Sequence, residues 1–225
     1  MSYPTAFEDY VKVIYAHTEW QPEAITPSVL AARLGLAASS VTEMVKKLVA
    51  SSLVEHEPYG AVTLTAEGTA LAVRMVRRHR LIETWLVQHF GYSWDEVHDE
   101  AEVLEHALSD RMFDAIDAEL GYPVRDPHGD PIPSASGVVN VPRAILLADA
   151  TAGTRSTVVR ISDRDASLLR HLEAEGIVVD AELTVLGREP HRGAFAVQLA
   201  AGTHHDLGAE ATASIWIADP SGTTA

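Results

Sequence analysis

Between residues 6 and 20 the apolar positions Phe7, Tyr10, Val11, Ile14 and Tyr15 fall three and four apart, the period of a helix with one buried face. Thr26-Pro27 then supplies a capping hydroxyl followed by a proline at the first helical position, so a helix is predicted over Ser28–Leu34, stopping at Gly35. A second helix is predicted from about Ser39 to Ser51, with Val41, Met44, Val45, Leu48 and Val49 on one face. Two short helices joined by a tight turn containing glycine make a helix-turn-helix. The runs 53–57 and 61–65 read as two strands around Pro58-Tyr59-Gly60, a β-wing.

A long helix is expected from Thr65-Ala66 to about Phe90, where Gly91 breaks the period. Ser93 can cap another over Trp94–Ser109, and a third runs from Asp110 to Leu120 before Gly121. Residues 121–152 carry Pro123, Pro127, Pro131, Pro133 and Pro142 among Gly, Ser and Asp, a linker composition. Beyond residue 153 the pattern turns to short β-type runs (STVVRIS, ELTVLGRE, AFAVQLA, SIWIAD) with one helix, Ala166–Glu175. The expected fold is therefore α+β and multidomain: a winged helix-turn-helix over 1–66, an all-helical domain over 67–122, a Pro-rich linker over 123–152, and a small β-barrel or sandwich over 153–225.

A helix-turn-helix sets the first turn of its second helix against base edges. Those positions are Ser39, Ser40, Thr42 and Glu43, with Lys46 and Lys47 one turn on, suited to phosphates. A winged helix can instead dock another protein; small polar residues leading a helix whose other face is apolar favour DNA. The net charge of −15 looks wrong for that role until it is located. Residues 1–80 balance eight basic against eight acidic groups, whereas residues 81–120 set eleven acidic groups against Arg111 alone. That acidic block also holds His89, His98 and His106. Interleaved histidines and carboxylates suit a cation site better than a merely solubilising surface.

The chain has no cysteine, so any metal site must use His, Asp and Glu, and disulfides, iron–sulfur clusters and thiolate zinc sites are excluded. No apolar run approaches the ~18 residues of a membrane helix, and the N-terminus lacks a signal pattern; a cytoplasmic protein without a membrane partner is expected. In VHDEAEVLEH, at about 100° per residue, His98, Glu102, Glu105 and His106 share one arc beside the apolar stripe Val97, Ala101, Leu104 and Leu108. His79 and Glu83, four apart on the preceding helix, likewise flank Met75, Ile82 and Leu86. Each histidine alone could be an ordinary surface or core residue; six such groups on neighbouring helices point to a metal.

The segments VHDEAEVLEH, MVRRHRLIE, ASSVTEMVKKL and FEDYVKVIY together resemble the diphtheria toxin repressor family of metal-dependent regulators, a likeness that extends over the whole chain. It implies a helical metal-binding and dimerisation domain, an SH3-like (FeoA-like) C-terminal domain, and a homodimer that represses transcription by binding double-stranded operator DNA. It also implies a primary, activating site of Asp9, Glu102, Glu105 and His106. An ancillary site would comprise His79, Glu83, His98 and a residue of the SH3-like domain, Asp163 rather than Asp165, although Asp163 could equally cap the following helix. Iron-responsive members carry sulfur at the positions of Asp9 and Glu102; carboxylates there favour Mn(II) over Fe(II), with other divalent ions as substitutes in vitro. Lys12 stands where some short manganese sensors have a second acidic residue, which speaks against a closely spaced two-manganese site. The rival readings are an Fe(II)-driven switch, a metal-independent DNA binder, and a metallohydrolase. The last would need an open coordination position and a base in a cleft, of which the sequence has no signature. Neither an enzyme nor an organic small-molecule ligand is expected.

Overall fold

The computed structural model describes residues 3–21, 23–57, 60–188 and 194–221. These form two compact units. The first runs to His79 and includes Glu105–Leu108 and Pro133–Val138; the second holds Arg80–Leu104, Ser109–Ile132 and the chain from Val139 onward.

In the first unit, α1 (Thr5–Thr18), α2 (Pro27–Leu34) and α3 (Ala38–Ala50) precede the hairpin β1 (Val54–His56) and β2 (Val62–Leu64), and α4 (Ala66–Phe90) begins directly after it. The Thr26 hydroxyl accepts from the Val29 N–H, and Gly35 takes the left-handed φ of 64° that ends α2. That sharp stop lets α3 turn away from α2. Tyr10, Val11 and Ile14 of α1, Leu30 of α2, Val41, Val45 and Leu48 of α3, and Val54 and Val62 of the hairpin form one core. Ser39, Ser40, Thr42, Glu43, Lys46 and Lys47 all lie on the exposed face of α3. The wing pairs antiparallel, with Val54 opposite Leu64. Of its expected turn, Pro58 and Tyr59 lie outside the described residues; the Gly60 N–H donates to the Glu57 carbonyl at 2.8 Å. Thr65 caps α4 through the Gly68 N–H at 3.0 Å and donates to the Ser52 carbonyl at 2.7 Å. A Cβ at Gly68 would come within 1.9 Å of the Leu53 carbonyl oxygen, so only glycine lets α4 lie this close to the hairpin.

In the second unit α5 (Val97–Ala107) begins later than the sequence suggests, because Ser93–Glu96 form a separate turn. Trp94, on that turn, is buried in the core of the C-terminal sheet instead of lining the helix. After α6 (Asp110–Glu119) come β3 (Ala144–Leu146), β4 (Arg155–Ile161), α7 (Ala166–Ala174), β5 (Glu182–Arg188), β6 (Phe195–Leu199), β7 (His204–Leu207), α8 (Ala209–Thr212) and β8 (Ile215–Ala218). The six strands make one antiparallel sheet in the order β3-β8-β4-β5-β6-β7. Val158, Ile161, Leu169, Leu172, Val185, Val197 and Ile217 fill its core.

The segment 125–132, proline- and glycine-rich, is built into this unit. Asp126 accepts from the backbone N–H groups of His128 and Asp130, Arg80 donates to the Pro131 carbonyl at 2.7 Å, and Arg160 binds Asp130 at 2.6 Å. Gly129 has a φ of 91°, and a Cβ built there would lie 2.0 Å from the Val159 carbonyl oxygen, so only glycine fits. Its neighbour His128 is thereby carried into the interior.

Candidate metal centre

The helical period of α1 places Tyr10, Val11 and Ile14 in the core, which turns Glu8, Asp9 and Lys12 toward the end of α5. The last turn of α5 carries Glu105 and His106, and Arg78 of α4 donates to the carbonyls of Glu105 and Leu108, both at 3.0 Å, closing that helix end. His106 Nε2 lies 2.9 Å from Asp9 Oδ1 and 3.3 Å from Glu105 Oε1, while Nδ1 lies 3.0 Å from Glu8 Oε2. One ligand atom from each of Asp9, Glu105 and His106 falls within 4.8 Å of the others. The Glu105 side chain is fully buried, its two oxygens taken by Lys12 Nζ at 2.6 Å and His79 Nδ1 at 2.7 Å. Burial alone would push its carboxyl up; the hydrogen bond and charge of His79, with the Lys12 ammonium, outweigh that and hold it below the usual carboxylate range. A carboxylate kept ionised without water is ready to receive a cation.

A second cluster lies in the other unit. His98 Nδ1 of α5 is 3.4 Å from Glu83 Oε1 of α4 and 3.7 Å from Asp163 Oδ2, which precedes α7. Asp165, the alternative, is instead the cap of α7, accepting from the Ser167 and Leu168 N–H groups. Glu102 pairs with His98, at 3.5 Å from Nε2. His79, one turn before Glu83 on α4, is engaged by Glu105.

Sequence reasoning missed His128. Its Nε2 lies 2.7 Å from the Trp94 carbonyl, which can only accept, so the proton resides there. The other nitrogen, Nδ1, is buried without a hydrogen-bond partner among the described residues and stands 3.9 Å from Glu83 Oε2. Glu83, His128 and Asp163 each place one ligand atom within 4.8 Å of the other two. Burial opposes charge on this ring, yet the carboxylates of Glu83, Asp126 and Asp163 and the bond to Trp94 push its pKa up to about 8. Once its proton is displaced, an orphaned imidazole nitrogen facing two carboxylates suits a divalent cation, since buried polar atoms otherwise find partners. The signal was present as Asp126-Pro127-His128-Gly129-Asp130, three potential ligands within five residues, but proline and glycine disguised it as linker. Glu8 was also missed, although it adjoins Asp9.

Both donor sets consist of oxygen and imidazole nitrogen only, a combination that fits harder and borderline divalent ions. Residues 4–62 match the family profile described as "Iron dependent repressor, N-terminal DNA binding domain", residues 65–134 the "metal binding and dimerisation domain" of the same family, and residues 145–219 a FeoA domain. The iron-dependent repressor IdeR of Mycobacterium tuberculosis (strain ATCC 25618 / H37Rv) is 31% identical over 192 residues, 79% of this chain and 82% of that protein. A solved manganese-dependent transcriptional repressor, in complex with manganese, is 49% identical with a TM-score of 0.90, covering 95% of this chain and 99% of that one. The manganese regulator SloR is 33% identical with a TM-score of 0.79, covering 96% and 99%. Proteins of this kind are repressors and not enzymes, and the SH3-like C-terminal domain is present. With its DNA-binding and dimerisation domains in place, the chain belongs to the diphtheria toxin repressor family and is a metal-dependent transcriptional repressor.

Proposed function

We propose that Mn(II) is the activating ion, that Asp9, Glu105 and His106, joined by Glu102 from one turn earlier on α5, bind it, and that the loaded homodimer represses genes of metal-ion homeostasis. The observation that carries this reading is the all-oxygen-and-nitrogen trio linking α1 to the end of α5. Where iron-responsive relatives use sulfur, this chain has Asp9 and Glu102, and hard oxygen donors offset the advantage that later, softer ions hold in raw affinity. The likeness to a manganese-dependent repressor at 49% identity and to a manganese regulator at 33% supports the same choice.

A bound divalent ion would supply positive charge among carboxylates that otherwise repel. The residues do the rest. Asp9 sits on α1, which packs against α2 and β2 of the DNA-reading unit, and Glu105 and His106 sit on α5. Drawing Asp9 onto Glu105 and His106 fixes α1, and with it the presentation of Ser39, Ser40, Thr42, Glu43, Lys46 and Lys47 to two successive major grooves. On α3, Glu43 and Lys46 are paired at 2.7 Å, and either must exchange this partner for a base or phosphate on docking.

The ancillary ion is held by Glu83, His98 and Asp163, with His128 Nδ1 as a further donor. His79, at one-turn spacing from Glu83, is the remaining member expected from sequence. Fe(II) is the second reading, supported by the iron-dependent relatives. An anaerobic titration of DNA binding with Mn(II) and with Fe(II), on duplexes selected from a random pool, separates the two. Half-saturation at lower free Mn(II) than free Fe(II), relative to their cellular availability, is expected; activation by Fe(II) alone would assign the chain to the iron branch.

A further inference from the structure

We infer that Glu8 is a positioning residue of the primary site: its carboxylate holds the His106 proton on Nδ1 so that Nε2 is bare for the metal. This rests on the reading of Asp9, Glu105 and His106 as the activating site. Both ring nitrogens of His106 face carboxylates of α1, but they face different surroundings. Nε2 meets Asp9 Oδ1 at 2.9 Å and Glu105 Oε1 at 3.3 Å, the latter also bound by Lys12, and both residues belong with His106 to the candidate cation cluster. Among the described residues Nδ1 meets Glu8 Oε2, at 3.0 Å. A neutral imidazole has one N–H and one lone pair. An ion among Asp9, Glu105 and Nε2 requires the lone pair at Nε2, so the proton must be at Nδ1, where a carboxylate that can only accept already waits.

The arrangement is a carboxylate–histidine–metal relay, in which the outer carboxylate fixes the tautomer, aims the ring and makes the inner nitrogen a stronger donor. The Glu8 and His106 side chains are equally shielded, each 16% exposed, so water does not easily take the place of either partner. Glu8 and Asp9 are consecutive on α1, so a single helical turn delivers both the ligand oxygen and the residue that sets the ligand nitrogen. Glu8 thereby ties α1 to His106 independently of Asp9.

The test uses the full-length protein. With Zn(II) as a diamagnetic probe and 15N-labelled histidine, His106 should show a hydrogen-bonded Nδ1–H and a metal-shifted Nε2, and Glu8→Ala should lose that Nδ1–H resonance. Mn(II) affinity at this site, measured by calorimetry, should fall about ten- to a hundredfold in Glu8→Ala. It should fall less in Glu8→Gln, whose amide oxygen still accepts from Nδ1–H. Metal on Nδ1, an unchanged affinity in Glu8→Ala, or a Glu8→Gln loss as large as that of Glu8→Ala would overturn the inference. Failure of the underlying site reads differently: Asp9→Ala and His106→Ala would then bind Mn(II) as the parent protein does.

Discussion

Glu105 and Asp9 sit in the same cluster but differ in what their removal should do. Glu105 is fully buried between Lys12 and His79, so Glu105→Ala leaves a buried ammonium without its counter-charge. Losses from breaking a buried pair this way run to roughly 3–5 kcal/mol. Asp9 is 34% exposed, and Asp9→Ala should change stability by less than about 1 kcal/mol while removing a proposed ligand. Urea unfolding of the metal-free variants checks both; equal destabilisation would mean that Asp9 is structural. In the other unit, His128→Ala should lower the number of Mn(II) ions bound by one and leave metal-activated DNA binding measurable, as counted by calorimetry on the parent and variant. Loss of DNA binding alone, with ion stoichiometry intact, would contradict the role given to His128. At this scale the sequence was informative where spacing is helical: His98, Glu102, Glu105 and His106 could be put on one arc before any contact was known. For Lys12 it marked only a departure from an acidic position, not the buried pair with Glu105, and it was uninformative for His128, whose loop has no period at all.

Among elements, the helices and the wing were readable because each is bounded by local chemistry. Thr26-Pro27 opens α2 and Gly35 closes it, and the structure uses both as caps. Thr26→Ala should cost about 1 kcal/mol through loss of that cap. Gly68 was not readable as special, because a glycine near a helix start is ordinary until the Leu53 carbonyl is known to lie against it. Gly68→Ala should destabilise by roughly 1–3 kcal/mol, against the gain of a few tenths to about 1 expected from helix propensity alone. Thermal unfolding decides the sign. The short strands β3 and β7 escaped detection because neither alternates: Ala144-Ile145-Leu146 is apolar throughout, and His204-His205-Asp206-Leu207 buries only its last member. The turn at Ser93–Glu96 escaped too, since Trp94 fits a helical stripe as well as it fits the sheet core it occupies.

For the whole molecule, metal dependence is a linkage between two sites. An ion favours the DNA-competent arrangement only through its greater affinity for that arrangement, and DNA must tighten ion binding by the same factor. The charge distribution makes such a switch useful. With eight basic and eight acidic groups over residues 1–80, the DNA-reading part carries no net positive charge, so non-specific attraction to phosphate is weak. On the proposed reading, binding then depends on the geometry set by α1. Family membership places DNA binding and metal sensing in one chain; the trio Asp9, Glu105 and His106 is the route we propose between the two. The most direct measurement is fluorescence anisotropy of a selected operator duplex with the full-length protein, titrated with Mn(II), then with chelator, beside Asp9→Ala. Binding that appears with Mn(II), disappears with chelator and is absent from Asp9→Ala is the predicted result. Equal binding with and without metal, or a variant that responds like the parent protein, would contradict it.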